Sequence, residues 1–325
     1  MIEVLRAGLL SSVQDQGRRG HAAIGVGRAG AMDADAARLA NWLAGNEANA
    51  AVVEITLSGP VLRFARATTI ALCGAEAELR LDGERIAGWR PQAVAAGSVL
   101  DCGVLRRGAR VYLAVAGGIA VVPVLDSRSV DLNAGLGPCE GRALRAGDRL
   151  PLAAEQGLRL RGTPAWSLAP RPWFDPDPQR RLRLLPGAHY AELEPQAQQA
   201  LQTGAFRIAP ESNRVGLRLQ GTTLQLRRPL ELVSAGVTRG TVQLPPGGQP
   251  ILLAAEHPTT GGYPRIAHLI EADQSRLGQY RPGDSLRLRL VGTDEAEALR
   301  ARRAQALARV HHYIEQKLLE IRCGA

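Results

Sequence analysis

Three short stretches of this 325-residue chain gather side chains able to bind or activate a small molecule. The densest is "EHPTTGGY", Glu256 to Tyr263. Its chemistry would be the stabilisation of a negative oxygen. Gly261 and Gly262 let backbone N–H groups approach closely without a Cβ. Thr259 and Thr260 add hydroxyl donors and Tyr263 a phenol. Pro264 suits a first helical position, so the turn is expected to deliver a helix N-terminus to an anion. Glu256 offers a carboxylate for a base or orienting role. A strained turn demanded by a surrounding barrel accounts for the same residues without chemistry.

The second stretch is "SNRVGLRLQG", with Asn213 and Arg214 entering a strand. The third is "SSVQDQGRRGHAAIGVGRAGAMD", in which Gln14, Asp15, Arg18 and His21 crowd a turn. Polar clusters that follow apolar strands are where sites sit on a rigid scaffold. Gln14, Asp15 and Asn213 also suit plain turns, whose backbones such side chains satisfy. Three clusters in one chain point to a shared site.

Several chemistries are excluded. Lys317 is the only lysine and lies near the C-terminus. A phosphate-binding loop needs its Gly-Lys-Ser/Thr and a Schiff-base enzyme a buried lysine. A biotin carrier needs a lysine between two methionines, and the only methionines are Met1 and Met32. There is no G-x-S-x-G and no H-E-x-x-H. "GVGRAG" (Gly25 to Gly30) lacks the spacing and the leading strand of a dinucleotide fingerprint. Cys73, Cys102, Cys139 and Cys323 are scattered with no CxxC pair, which reads as reduced thiols and no metal site. No apolar run spans a bilayer and no signal peptide is read, so a cytoplasmic location is expected. The net charge of +9 is diffuse and lacks interleaved aromatics, which argues against nucleic acid. It suits solvated Arg-rich faces, acidic small molecules or an acidic partner.

The elements that must position these residues are mostly short alternating strands punctuated by glycine, the signature of barrels rather than of a doubly wound sheet. Two halves share a likeness. "IEVLRAG" (Ile2 to Gly8) and "LRLLPGA" (Leu182 to Ala188) open them. "LRAGDRLPL" (Leu144 to Leu152) and "YRPGDSLRLRL" (Tyr280 to Leu290) close them. The expected class is therefore mainly β with some helix, in two related domains over 1–160 and 182–292. A Pro- and Trp-rich linker, 161–181, joins them, with Trp166, Trp173 and Phe174 as anchors. A helix capped by Asp33 is expected to bury Ala36, Leu39, Ala40 and Leu43 and to end at Gly45. A second helix is expected over Ala191 to Gly204. In the tail, 293–325, Leu307, Val310, Ile314, Leu318 and Ile321 follow three- and four-residue steps, which predicts an amphipathic helix. Its adjacent His311 and His312 point apart and form no metal pair.

"VQDQGRRG", "GVGRAGAMD", "ANWLAGN", "VVEITLSGPVLRF", "YLAVAGG", "ESNRVGLRLQG", "GTVQLPPGGQPILL" and "TTGGYPRIA" followed by "RPGD" occur in this order. Together they resemble the biotin-dependent carboxyltransferase family, which takes in 5-oxoprolinase C subunits and the carboxyltransferase region of urea amidolyase. The likeness covers roughly residues 1 to 292. It implies two tandem cyclophilin-like β-barrels and an enzyme subunit active only with B-like and A-like partners. The implied reaction is ATP-dependent opening of 5-oxo-L-proline to L-glutamate, with ATP used by the complex and no biotin attached to this chain. The implied site comprises Asn213, Arg214, Gln243, Glu256 and Thr259 to Tyr263, with Arg214 holding a substrate carboxylate and Asp15 and Arg18 lining or supporting it. Where the family pattern has Asp-x-Gln before the threonines, this chain has Glu256-His257-Pro258, and Ala235 stands where an acidic residue is common. Two alternatives stay open: a biotin-dependent carboxyltransferase acting on a urea-like amide with its carrier on another chain, and a non-catalytic regulator of a B-like partner.

Overall fold

The computed structural model describes residues 1–153, 158–174 and 181–323. The chain separates into two compact units. Unit 1 takes residues 1–18, 29–174 and 306–325; unit 2 takes 19–28 and 175–305. The segment 19–28 thus goes with the later unit and the end of the tail with the earlier one.

Unit 1 is built on β1 (Ile2–Arg6), β2 (Leu10–Gln14), β3 (Val52–Thr56), β4 (Val61–Phe64), β5 (Thr68–Ala77), β6 (Arg80–Leu81), β7 (Glu84–Arg85), β8 (Pro91–Val94), β9 (Val99–Asp101), β10 (Leu105–Val115) and β11 (Arg149–Leu150). They form two sheets, in the orders β11-β1-β4-β9-β6-β7 and β2-β3-β10-β5-β8. Alternation sends Ile2, Val4, Leu62 and Phe64 from the first sheet against Val53, Ile55, Leu72 and Val111 of the second. Burying each such side chain contributes about 1.5–3 kcal/mol.

The far face of the second sheet carries a helical layer. Helix α1 (Ala34–Leu43) starts at Asp33, whose carboxylate accepts from Ala36 N–H at 3.0 Å, and Gly45 follows it at a φ of 74°. A residue in that left-handed region ends a helix cheaply only when it lacks a Cβ. Ala36, Leu39, Ala40 and Leu43 are buried with Val52, Ala71 and Tyr112, and Leu307, Ile314 and Leu318 of the last helix join them. The stretches of β5 and β10 covered on both faces, 70–75 and 111–115, therefore read as apolar runs, while Arg106 and Arg107 at the start of β10 are exposed. The indole of Trp42 stacks on His311 with ring centroids 4.3 Å apart, while His312 turns to Gln316 at 2.9 Å. Trp166 and Trp173 pack partly buried against this layer, as expected of anchors. The side chain of Phe174, in the single turn α2 (Arg171–Phe174), lies outside the described residues.

Unit 2 contains β12 (Arg181–Pro186), β13 (Ala205–Ile208), β14 (Gly216–Gln220), β15 (Ala235–Gly236), β16 (Thr241–Gln243), β17 (Ile251–Leu253), β18 (Thr260–Gly261), β19 (Arg265–Leu269) and β20 (Ser285–Leu290). Seven of them close a barrel in the order β12-β19-β16-β17-β14-β13-β20. Leu182, Leu184, Phe206, Ile208, Leu217, Leu219, Leu286 and Leu288 are buried at alternate positions, and Arg181, Arg207, Arg218 and Arg287 are exposed between them. The remaining pair, β15 and β18, is a separate two-residue ribbon. Helix α3 (Pro195–Thr203) is shorter than the expected Ala191–Gly204 because Pro195 fixes its first turn. Helix α4 (Glu271–Gln274) is a single turn, and α5 (Thr293–Cys323) is the predicted tail helix. No helix among the described residues is long and apolar enough to cross a membrane.

Candidate functional site

In unit 2 the barrel ladder brings two charged residues together. β14 and β17 pair antiparallel with Gly216 opposite Leu253. Arg214 precedes one strand and Glu256 follows the other, so both leave the barrel at the same end. Ala254 N–H donates to Val215 O at 2.9 Å and Glu256 N–H to Arg214 O at 2.8 Å, extending the ladder to both residues. Arg214 Nε then donates to Glu256 Oε1 at 2.6 Å, with the side chains only 3% and 2% exposed. A buried pair is held in one geometry because either charge alone would be strongly unfavourable. The guanidinium expected to grip a substrate carboxylate thus has its Nε engaged by Glu256. The Asn213 side chain serves its own turn, with Oδ1 accepting from Val215 N–H at 2.9 Å and Gly216 N–H at 3.4 Å.

Beyond Glu256 the chain turns out to the ribbon. His257 Nδ1 lies 2.7 Å from the Pro258 carbonyl oxygen. Thr260 pairs with Gly236 and Gly261 with Ala235; Val237 N–H donates to Thr259 O at 3.1 Å and Arg265 Nη1 to Gly236 O at 3.2 Å. The N–H groups of Gly262 and Tyr263 have no hydrogen-bond partner among the described residues. Tyr263 projects outward, 46% exposed. The expected helix after Pro264 is corrected: Arg265–Leu269 is β19, and no helix N-terminus reaches the turn. β19 pairs with both β12 and β16, so its backbone groups are consumed by two ladders, and the helix is delayed to Glu271. Pro264, which has no N–H to give, keeps its place by accepting from Leu244 N–H at 2.9 Å.

Gln243 closes β16 beneath the ribbon and is 4% exposed. A Cβ on Gly261 would lie 2.4 Å from Gln243 Nε2, so the glycine is what lets the amide approach the ribbon backbone. The register of β16 against β19 shifts between Val242 and Gln243, where β19 takes two steps, Ala267 to Arg265, against one on β16. The other ribbon strand, Ala235–Gly236, holds the Ala235 that departs from the family pattern; its pairing with Thr260–Gly261 has no trace in the sequence, because two residues carry no periodicity.

Asp15 and Arg18 lie in unit 1. The Asp15 carboxylate accepts from Gly17 N–H at 2.7 Å, Ser127 Oγ at 2.7 Å, Arg128 N–H at 2.6 Å and Ser129 Oγ at 2.6 Å. Arg18 Nη2 donates to Ser129 O at 2.5 Å. Both tie the 15–18 turn to the 127–131 segment. A second buried polar group in this unit, missed in the sequence, centres on Glu54. Its Oε2 accepts from Met32 N–H at 2.8 Å and from Tyr112 Oη at 2.9 Å, and Tyr112 Oη accepts from Asp33 N–H at 2.7 Å. Burial, and then the neighbouring Glu54 carboxylate, push the Tyr112 phenol well above its ordinary range. These contacts fix the start of α1. Among the described residues no group of three His, Cys, Asp or Glu is placed to hold a metal ion.

A family model described as "Carboxyltransferase domain, subdomain A and B" matches residues 24–290. The chain is 41% identical over 317 residues to the C subunit of the Escherichia coli 5-oxoprolinase, covering 97% of each. It is 37% identical over 318 residues to the corresponding 5-oxoprolinase C subunit of Haemophilus influenzae, covering 98% of this chain and all of that one. Among solved structures, the Kluyveromyces lactis urea carboxylase superposes with a TM-score of 0.86 at 29% identity, over 94% of this chain and 29% of that chain. This chain covers 20% of the solved Kluyveromyces lactis urea amidolyase chain, at 29% identity and a TM-score of 0.85.

Proposed function

The chain belongs to the carboxyltransferase domain family, and from that membership we propose that it is the C subunit of an ATP-dependent 5-oxoprolinase, opening 5-oxo-L-proline to L-glutamate together with B-like and A-like subunits. Near full-length similarity to two 5-oxoprolinase C subunits supports the substrate. The observation that carries the site is the donor-rich ribbon beside the buried Arg214–Glu256 pair.

Lactam hydrolysis adds water to the ring carbonyl carbon, breaks the C–N bond and leaves a proton on the nitrogen. Negative charge develops on the carbonyl oxygen, and fixed donors aimed at it lower the barrier. The N–H groups of Gly262 and Tyr263 and the hydroxyls of Thr259 and Thr260 supply such donors. Glu256 takes the proton of the attacking water, and Arg214 holds its carboxylate in place. The Tyr263 phenol closes the outer side. ATP is consumed by the assembled complex; Lys317, paired with Glu320 at 2.7 Å on α5, is no phosphate-loop lysine.

The test is co-expression with the B-like and A-like proteins of the same genome and assay of ATP-dependent glutamate formation. Thr260→Ala is expected to lower turnover by about 10²–10³-fold if its hydroxyl is one such donor. Full turnover in that variant moves the chemistry off the ribbon. A complex that forms but makes no glutamate, and instead shows avidin-sensitive carboxylation of a urea-like amide, favours the carboxyltransferase reading that the urea carboxylase likeness keeps in view. Tight partner binding with neither activity favours a regulator.

A further inference from the structure

Gln243 carries a carboxamide that is almost wholly enclosed, and neither of its polar atoms has a hydrogen-bond partner among the described residues. Nε2 is the atom cut off from solvent. Leaving a buried donor unmade is costly, so such a group calls for a partner. Two further features point to an arrangement built for one. The bulge between β16 and β19 falls at Gln243, and Gly261 has no side chain where any Cβ would strike Nε2. The enclosed amide therefore sits under the same ribbon that offers the Gly262 and Tyr263 N–H groups.

A carboxamide presents an acceptor and a donor side by side on one edge. It pairs at two points with another amide only if that amide shows its N–H and C=O on the same edge, which is the cis arrangement. A five- or six-membered lactam is cis by ring closure, and urea and primary amides carry an equivalent edge. An ordinary peptide bond is trans and places the two groups on opposite sides. We propose that Gln243 is the specificity-determining residue of this site and reads the cis-amide edge of a small planar substrate, a lactam or a urea. Its Nε2 donates to the substrate carbonyl oxygen and its Oε1 accepts the substrate N–H. The ribbon N–H groups reach the same carbonyl oxygen from its other side. Entry requires the ribbon to yield; among the described residues its two strands are joined by two residue pairs and the Val237 N–H to Thr259 O bond, with Arg265 Nη1 donating to Gly236 O. This rests on the ribbon being the reacting site.

The experiment uses the chain co-purified with its partner subunits. KM and kcat are measured for 5-oxo-L-proline and for its N-methyl derivative, which keeps the carbonyl but has no N–H. Binding of 2-pyrrolidone and N-methyl-2-pyrrolidone is followed in parallel by ligand-observed NMR. A site that hydrogen-bonds a substrate N–H rejects the analogue lacking it strongly, so the native complex is expected to prefer the N–H lactam by about 100-fold or more. Gln243→Leu is expected to raise KM for the N–H lactam more than it lowers kcat and to collapse that preference. Gly261→Ala, which displaces the carboxamide without removing it, is expected to do the same. Equal acceptance of N-methyl lactams by the native complex, or a preference unchanged in Gln243→Leu, overturns the assignment and leaves a buried water as the amide's partner. A binding preference without any glutamate formation keeps the subsite and sinks the 5-oxoprolinase reading; glutamate formation without a preference does the reverse.

Discussion

Arg214 Nε stands 2.6 Å from Glu256 Oε1, and the same two residues are joined through the backbone by Glu256 N–H donating to Arg214 O at 2.8 Å. The ladder sets the distance between the Cα atoms, and the ion pair sets the side chains. Breaking a buried pair from one side costs about 3–5 kcal/mol, whereas replacing both partners by apolar residues is often neutral. Glu256→Leu alone should therefore destabilise the chain by that amount, and Arg214→Met with Glu256→Leu should recover most of it. Urea denaturation checks this. Glutamate formation should be lost in both, which separates the role in folding from the role in chemistry.

Asp15 offers a second measure of a buried carboxylate, this time with neutral donors. Four groups donate to it, from Gly17, Ser127, Arg128 and Ser129. Asp15→Ala leaves those donors without their acceptor, and unsatisfied buried groups cost about 1–3 kcal/mol each. Thermal unfolding should show a loss of at least about 2 kcal/mol. Asp15→Asn should be milder, since it keeps one acceptor oxygen. A loss below that of an average surface substitution would mean the 127–131 segment is held by other contacts.

His268 gives the chain a pH-dependent term. Burial lowers its pKa below the ordinary 6.5, and its Nδ1 sits 3.5 Å from Thr241 Oγ1. The unfolded chain then binds a proton near 6.5 that the folded chain resists. Its contribution to stability is complete above that value and is lost as pH falls through it toward the folded pKa. Melting temperature should drop between about pH 7 and pH 5, less steeply in His268→Gln than in the native chain. Identical slopes for the two would remove His268 from the account.

The tail helix is held by apolar contact. Ile314 is 1% exposed, between Leu307 and Leu318 in the core that α1 also fills. Ile314→Ala should cost about 2–5 kcal/mol. Leu319→Ala, on the exposed side, should cost little, since Leu319 is 54% exposed. Chemical denaturation of the two variants compares them directly.

What the sequence revealed follows how local each signal was. The tail helix could be read because Leu307, Val310, Ile314, Leu318 and Ile321 repeat at helical spacing, and Asp33 because a cap acts on N–H groups three residues away. The barrel strands of unit 2 showed as alternation in "LRLLP" and "SLRLRL". The Arg214–Glu256 contact could not be read, because its partners lie 42 residues apart and meet only through the pairing of β14 with β17. Pro264 misled for a physical reason: it suits a first helical turn and a strand end alike, and the ladders on both sides of β19 decide between them. The assignment of residues 19–28 to unit 2 depends on tertiary contacts with no sequence trace.

Residues 306–323 of α5 belong to unit 1 although all the strands of unit 2 precede them in the chain. On the ribosome this reverses the usual order in which domains mature. Unit 1 is begun first and finished last. Until the final turns of α5 emerge, its helical layer lacks Leu307, Ile314 and Leu318, and the surface they cover stays open to water throughout the synthesis of unit 2. The earlier unit is therefore the one exposed to nascent-chain chaperones for longer, and an early stop in the last eighteen codons of that helix would damage the half of the protein made first.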